Sequence, residues 1–458
     1  MPQKLLKYSF LFCIPILYIL PLILNRNGGI WVSQTYGHEH RSVELLGFSA
    51  SLAWAFAIYT AYKRGLLLDM KEILWAMAFS GVYFVFLHAI SDHVAAQYDY
   101  LLGYERAALF LNEGKNPYEG TSYIYPPLLV QVLGSILKIA PVHDLFYTYQ
   151  VFQWLNVLLL FQLLYTVFKP YTSAKQFPFL PILIALLMLT SVPLYRTLHW
   201  QQVNVILLNL MLIGFLYAEK NVLLSGLAFA VGIHLKIYPV IFGTLFLCTN
   251  HKKVVLSTGI WTGIIFMLQT SFLQEMTLYS QFLASFQHTL GEIPSSDFFR
   301  NNSIRSPFIF IFYTWLKLPE QTAAILVRFI SLIWQVLMLI WVVFRCYKRH
   351  MHNTDAFFIF WGNVWDCIAL MLLVSPLLWE HHFVHCLPLL LAAFLTSAAK
   401  NLRMWVICLV LIGLLPTFDV FLFSYHRMLG LILLLKILPI YSLENGENMA
   451  MFVAKKLM

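Results

Sequence analysis

The chain has 458 residues, 60% of them hydrophobic and 11% charged, with a formal net charge of +9. Soluble domains carry roughly 25% charged residues, so this composition and a mean hydropathy of +0.73 exclude a water-soluble globular protein and mark an integral membrane protein. The cations flank apolar runs instead of lining an exposed face, which argues against nucleic acid, and the six cysteines are scattered without a CxxC pair, which argues against a disulfide framework or a zinc site.

Taken in chain order, Lys4 and Lys7 precede an apolar run at 9–24 with no small-residue cleavage site after it, so a retained first helix with a cytoplasmic N-terminus is expected. Further runs near the length needed to cross the hydrocarbon core lie at 46–61, 73–90, 151–168, 254–272 and 323–344. The expected architecture is an all-α polytopic membrane protein with roughly a dozen transmembrane helices and short re-entrant or interfacial helices. It forms a single membrane domain over 1–458: an N-terminal two-helix extension at 1–71, a core at 72–398, and C-terminal helices with a tail at 399–458.

Loop cations set the orientation. Lys63, Arg64 and Lys71, then Lys252 and Lys253, then Arg345, Lys348 and Arg349, then Lys400 and Arg403 all favour the cytoplasm. That assignment keeps Lys169 and Lys175 inside only if one of the segments 125–140 and 145–168 fails to cross; 125–140 is short, opens on Pro126-Pro127 and contains Lys138. A second break is expected at Lys236 to Pro239, where a cation and a proline interrupt the apolar run 223–247. Four polar patches then share the external face: 99–127, 199–204, 301–306 and 375–382.

Within these patches Asp99 is the leading acid beside the membrane, with Asp92 as its competitor and Glu105 read as an outward charge on an interfacial helix. Lys236 in an apolar run calls for a counter-charge, met by a ligand phosphate, by a buried carboxylate, or avoided by snorkelling. Gln202 and Asn204 read either as ligand contacts or as amides that join helices. Neighbouring helical residues point about 100° apart, so one of His381 and His382 is expected to be functional and the other structural.

These residues resemble glycosyltransferase family 87, the polyprenol-phosphate-mannose-dependent mannosyltransferases of the GT-C fold. Asp99 followed by Tyr104, Gly114-Lys-Asn116-Pro117-Tyr118, and Tyr125-Pro126-Pro127 are similar to its acidic loop, G-x-N-P-Y and Y-P-P elements. Gln202-Val-Asn204, Gly226 through Gly232 to Lys236 and Pro239, Asn302-Ser303, and Ser375-Pro376 with Trp379-x-His381-His382 resemble further elements in the same order. Two departures stand out: Gln201 occupies the place of the family's glycine, and the extension 1–71 matches no element.

The resemblance implies a GT-C catalytic core over 72–398 and an inverting transfer of one sugar, mannose in the family, from a polyprenyl-phosphate donor to a hydroxyl of a glycolipid, glycan or protein. Asp99 would be the base; Lys236, His381, His382 and Arg305 would meet the donor phosphate; Asn116, Tyr118, Tyr125, Gln202, Asn204, Asn302, Ser303 and Trp379 would line the substrates. It implies no metal and no cofactor, the lipid-linked sugar being a substrate, and a multi-pass protein of the plasma membrane with its site on the external or periplasmic face. The alternative is a lipid-linked sugar flippase or transporter, for which inverted repeats and a charged site near the midplane are expected.

Overall fold

The computed structural model describes residues 99–172, 180–249, 251–291, 301–353, 355–415, 421 and 423–440. The apolar runs at 9–24, 46–61 and 73–90, the extension 1–71, Asp92 and Lys175 lie outside the described residues. The described residues are helical with no extended strand. Three helices among them are long and apolar enough to cross a membrane: Val151–Tyr171, Glu320–His352 and Ala356–Leu373. The bent pair Leu180–Leu189 and Val192–His199 makes a fourth if counted as one span.

The reason for short helices elsewhere lies in local breaks. Leu128–Leu137 has 10 residues, about 15 Å of helix, half of a hydrocarbon core. Val222–Leu235 ends where Lys236 turns extended at φ −150° and ψ 134°, and Pro239 then sits in a single turn at Tyr238–Ile241. The expected break at Lys236 to Pro239 is therefore present.

The described chain divides into two compact units, one within 96–167 and 197–293, the other within 168–196 and 294–458. In the first unit Val222–Leu235 packs between Asn204–Tyr217 and Lys252–Gln269. Gly226 permits the second approach: a Cβ there would stand 2.2 Å from Ser257 Oγ. Asn221 caps this helix by accepting from Leu224 N–H at 3.1 Å. Buried amides join further helices, with Asn209 Nδ2 donating to both the backbone carbonyl (2.8 Å) and Oδ1 (3.1 Å) of Asn156. The core here is rich in tyrosine, with Tyr100, Tyr104, Tyr123 and Tyr149 packed around Leu129, Val130 and Leu133.

In the second unit Glu320–His352 runs for 33 residues, about 50 Å, and most of its apolar surface faces outward. Ala356–Leu373 packs against it and is largely enclosed. Asp355 starts that enclosed helix, its Oδ1 accepting from Phe357 N–H (3.0 Å) and Phe358 N–H (3.3 Å). At the other end Trp334 Nε1 and Gln335 Nε2 donate to the carbonyls of Leu373 and Val374, at 2.8 and 3.0 Å, which satisfies two orphan acceptors of the helix terminus.

Candidate active site

Asp99 opens a seven-residue π-helical segment, Asp99–Glu105, a wound geometry that often marks functional positions. Its Oδ2 accepts a short hydrogen bond from Gln202 Nε2. The amide oxygen of Gln202 accepts from two tyrosine hydroxyls, Tyr104 at 2.9 Å and Tyr125 at 3.2 Å. With both donors on the oxygen side, only the amino group can face the carboxylate, so the tyrosines fix the direction of the Gln202 amide. This bond occupies Oδ2 of the carboxylate.

The turn that delivers Gln202 explains a departure noted in the sequence. Val192–His199 is closed by Gln202 N–H to Thr197 O (2.8 Å) and Gln201 N–H to Leu198 O (3.1 Å), the bond pair of a Schellman motif. Such a motif puts one residue in the left-handed region, normally glycine, and here Gln201 takes it at φ 54°. Tyr149 O–H donates to Gln201 O at 3.0 Å and Gln153 Nε2 to Gln202 O at 3.0 Å, pinning the strained turn from two sides. The backbone therefore keeps the path a glycine would give, at a strain cost.

Lys236 lies in the same cluster. Its Nζ donates to Asn204 Oδ1 at 2.8 Å and stands 4.5 Å from the centre of the Tyr125 ring. Burial raises the Asp99 carboxyl above the usual carboxylate range, while the Gln202 hydrogen bond and the positive charge of Lys236 pull it back down. The cluster thus sets a carboxyl withdrawn from water against two groups that favour its ionised form.

The loop elements expected to meet substrate have local work. Asn116 Oδ1 accepts from Tyr118 N–H at 3.0 Å, Tyr118 O–H donates to Tyr125 O at 3.0 Å, and Tyr123 O–H donates to Pro126 O at 2.6 Å. Gly114 and Gly120 supply the positive φ angles that this loop needs, 72° and 68°.

The remaining expected residues belong to the second unit. Asn302 N–H donates to Leu378 O at 2.7 Å, tying the loop at 301–303 to the Ser375-Pro376 segment. Asn301, which the sequence reading passed over, completes this clasp: its Oδ1 accepts from Ser303 N–H (3.0 Å) and Leu378 N–H (2.9 Å), and its Nδ2 donates to Pro376 O (3.2 Å). Ser303 Oγ is buried with no hydrogen bond, and Arg305 starts the short helix Arg305–Ile309. His381 and His382 are both buried in the turn Glu380–Cys386, their rings edge to face at 4.5 Å between centres. Trp379 N–H donates to His382 Nδ1 at 3.1 Å, which makes Nδ1 the acceptor and places the proton of the neutral ring on Nε2.

Between these histidines and Trp379 stands Glu380, a further residue the sequence reading did not single out. It is buried, hydrogen-bonded by Arg427 Nη2, and 3.4 Å from Arg196 Nε. Arg427 also donates to Leu415 O, so one arginine links the histidine turn to two later stretches of chain.

Among the described residues no three of His, Cys, Asp and Glu gather in a way that would hold a metal ion. Asp99, Tyr125, Gln202, Asn204 and Lys236 come together in the first unit; Asn302, Ser303, Arg305, Trp379, His381 and His382 sit in the second. A search of curated proteins returns no match. The sequence model described as glycosyltransferase family 87 matches residues 123–376, a range that holds Tyr125, Gln202, Asn204, Lys236, Asn302, Ser303 and Arg305 and leaves Asp99, Asn116, Tyr118, Trp379, His381 and His382 outside.

Proposed function

The chain belongs to glycosyltransferase family 87, and on that footing we propose that this membrane glycosyltransferase moves a sugar, mannose by family resemblance, from a polyprenyl-phosphate donor to an acceptor hydroxyl with inversion. The observation that carries the reading is the Asp99–Gln202–Tyr104/Tyr125 relay, because it aims a carboxylate without neutralising it.

In the proposed reaction the acceptor hydroxyl gives its proton to Asp99 Oδ1 as its oxygen attacks the anomeric carbon, and the bond from that carbon to the phosphate oxygen breaks on the opposite face. A base positioned within hydrogen-bond reach contributes about 100- to 10,000-fold. The leaving phosphate gains charge as it departs, so cations and N–H donors that meet it lower the barrier. Lys236 and Arg305 are the proposed cationic contacts, and His382, whose neutral ring presents Nε2–H, is the proposed donor of the histidine pair. Lys236 has a second part in the proposal: it favours the ionised form of Asp99. The proposed setting is the external or periplasmic side of the plasma membrane, where the acceptor is a glycolipid, glycan or protein.

The purified protein should be incubated with a panel of labelled polyprenyl-phosphate sugars in detergent or liposomes, with transfer of label off the lipid carrier as the readout. Release of label from one of them, dependent on an added acceptor, supports the reading. No turnover of any lipid-phosphate sugar, with turnover of a nucleotide sugar instead, would overturn the donor assignment.

A further inference from the structure

Two carboxylates of the second unit are buried between arginines, in different surroundings. Asp366 lies inside Ala356–Leu373, where Arg345 grips it with Nε and Nη2, each at 3.0 Å, and Arg349 Nη2 adds a contact at 2.8 Å. Both arginines come from Glu320–His352, so this cluster fastens one long helix to another. Glu380 instead opens the turn Glu380–Cys386, with Arg427 Nη2 donating to its Oε1 and Arg196 Nε 3.4 Å from its Oε2. Glu380, Arg196 and Arg427 are all buried. Each oxygen of Glu380 thus faces a guanidinium, which makes this side chain an anchor for the backbone that carries it. Arg427 is itself braced, since it belongs to His426–Ile437 and also donates to Leu415 O.

That backbone carries the histidine turn. His382 is tied to Trp379 twice: its N–H donates to Trp379 O at 3.0 Å, and its Nδ1 accepts from Trp379 N–H at 3.1 Å. A further hold comes from His385, whose Nδ1–H donates to the carbonyl of His382 at 2.8 Å. Upstream, Asn301 and Asn302 together bond Pro376 O and both backbone groups of Leu378. Trp379 itself is extended, at φ −78° and ψ 162°, so no helical ladder holds it and its direction depends on its neighbours. It is clamped between the amide clasp on its N-terminal side and the Glu380 ion pair on its C-terminal side. The direction of its N–H sets the ring of His382.

We propose that Glu380, through its ion pair with Arg427, is a positioning residue for His382: it holds Trp379 so that the His382 ring keeps Nδ1 as acceptor and presents Nε2–H. The proposal rests on the reading of His382 as a donor to the lipid phosphate, and it extends that reading by naming what sets the donor. A misplacement of about 1 Å in a group that meets a reacting centre can cost on the order of 100-fold, so a turn outside any long helix needs anchors of its own. A staple in the manner of Asp366 changes stability alone. A positioning residue changes what the ring of His382 does.

The test uses full-length protein in detergent, with polyprenyl phosphate lacking a sugar as the binding probe. Glu380→Asp keeps the charge and shortens the reach, and Arg427→Lys keeps the charge and loses the planar fork. Each should weaken polyprenyl-phosphate affinity on the order of tenfold, and by less than about twofold when His382→Ala is already present, because residues that act through one another are not additive. No weakening by either variant, or equal weakening in both backgrounds, overturns the positioning role. Melting of the same samples identifies a variant that has lost its fold, and the other then carries the test. The ring is read separately by nitrogen NMR of histidine-labelled protein, with His382→Ala giving the assignment. The wild type should show the proton on Nε2 and a hydrogen-bonded Nδ1, and both variants should shift the Nδ1 signal. An unmoved His382 signal in both overturns the proposal whether or not the lipid phosphate binds. A wild type that binds no polyprenyl phosphate, with the ring signal shifted in the variants, overturns the donor reading and upholds the positioning of His382.

Discussion

Asp99 and Asp366 are both carboxylates surrounded by protein, and their neighbours differ in kind. Asp366 is gripped by two guanidiniums through three hydrogen bonds, so its lone pairs are committed and its charge is more than cancelled. Asp99 meets one neutral amide, itself held by two tyrosines, with the nearest cation directed at Asn204 and Tyr125. An acid locked in an ion pair is a staple. An acid oriented by neutral donors keeps a lone pair for an incoming proton, which is why the acid in the first unit is assigned the base role and the one in the second is not.

The widest separation between the two is expected in stability. Asp366→Ala leaves two buried guanidiniums without their counter-charge and should destabilise the protein by about 3–5 kcal/mol, seen as early loss of folded protein on heating in detergent. Asp99→Asn keeps the shape of the side chain and should melt near wild type. Equal melting of both variants would erase the contrast.

Next in size is the relay. Gln202→Leu removes the N–H that favours the Asp99 carboxylate and strands the Tyr104 and Tyr125 hydroxyls, at a cost of about 1–3 kcal/mol for each buried group left unsatisfied. In the proposed base role Asp99 works ionised, so activity should fall as pH drops through its raised pKa; without the Gln202 hydrogen bond that fall should begin at higher pH. The pH dependence of kcat/KM measures it, and an unmoved acid limb would show that Gln202 does not act through Asp99.

A smaller shift in the same direction is expected for Lys236→Met, since the charge of Lys236 is the weaker of the two influences lowering the Asp99 pKa. Loss of donor affinity with an unmoved acid limb would leave Lys236 with the phosphate alone. The smallest effect is at Gln201. Gln201→Gly relieves a left-handed residue at the end of Val192–His199 and should stabilise by roughly 1 kcal/mol, with transfer unchanged.

What the sequence made legible follows from the range of the forces involved. Val151–Tyr171 and Glu320–His352 announce themselves because apolarity over some twenty residues is a local property. The break at Lys236 to Pro239 is legible for the same reason, a cation and a proline inside one run. Gln201 showed as a departure from a motif, and its positive φ supplies the physical reason that a glycine belongs there. Pairings between distant residues left no such trace. Glu380 sits 47 positions from Arg427, and Asn301 holds carbonyl and N–H groups 75 and 77 positions away. In a chain this apolar each of those residues reads alone as an isolated polar side chain, and only the fold shows the partner. Asp99 and Gln202, 103 positions apart, were both picked out by motif, but the tyrosine-set direction of the amide between them is a property of the folded chain.

The account depends most on Asp99 as the base, and one comparison addresses it directly: single-turnover sugar transfer by wild type and Asp99→Asn at saturating donor, with donor binding and melting measured on the same samples. The rate should fall by about 100- to 10,000-fold while affinity and melting hold. Transfer within a few-fold of wild type would contradict the assignment.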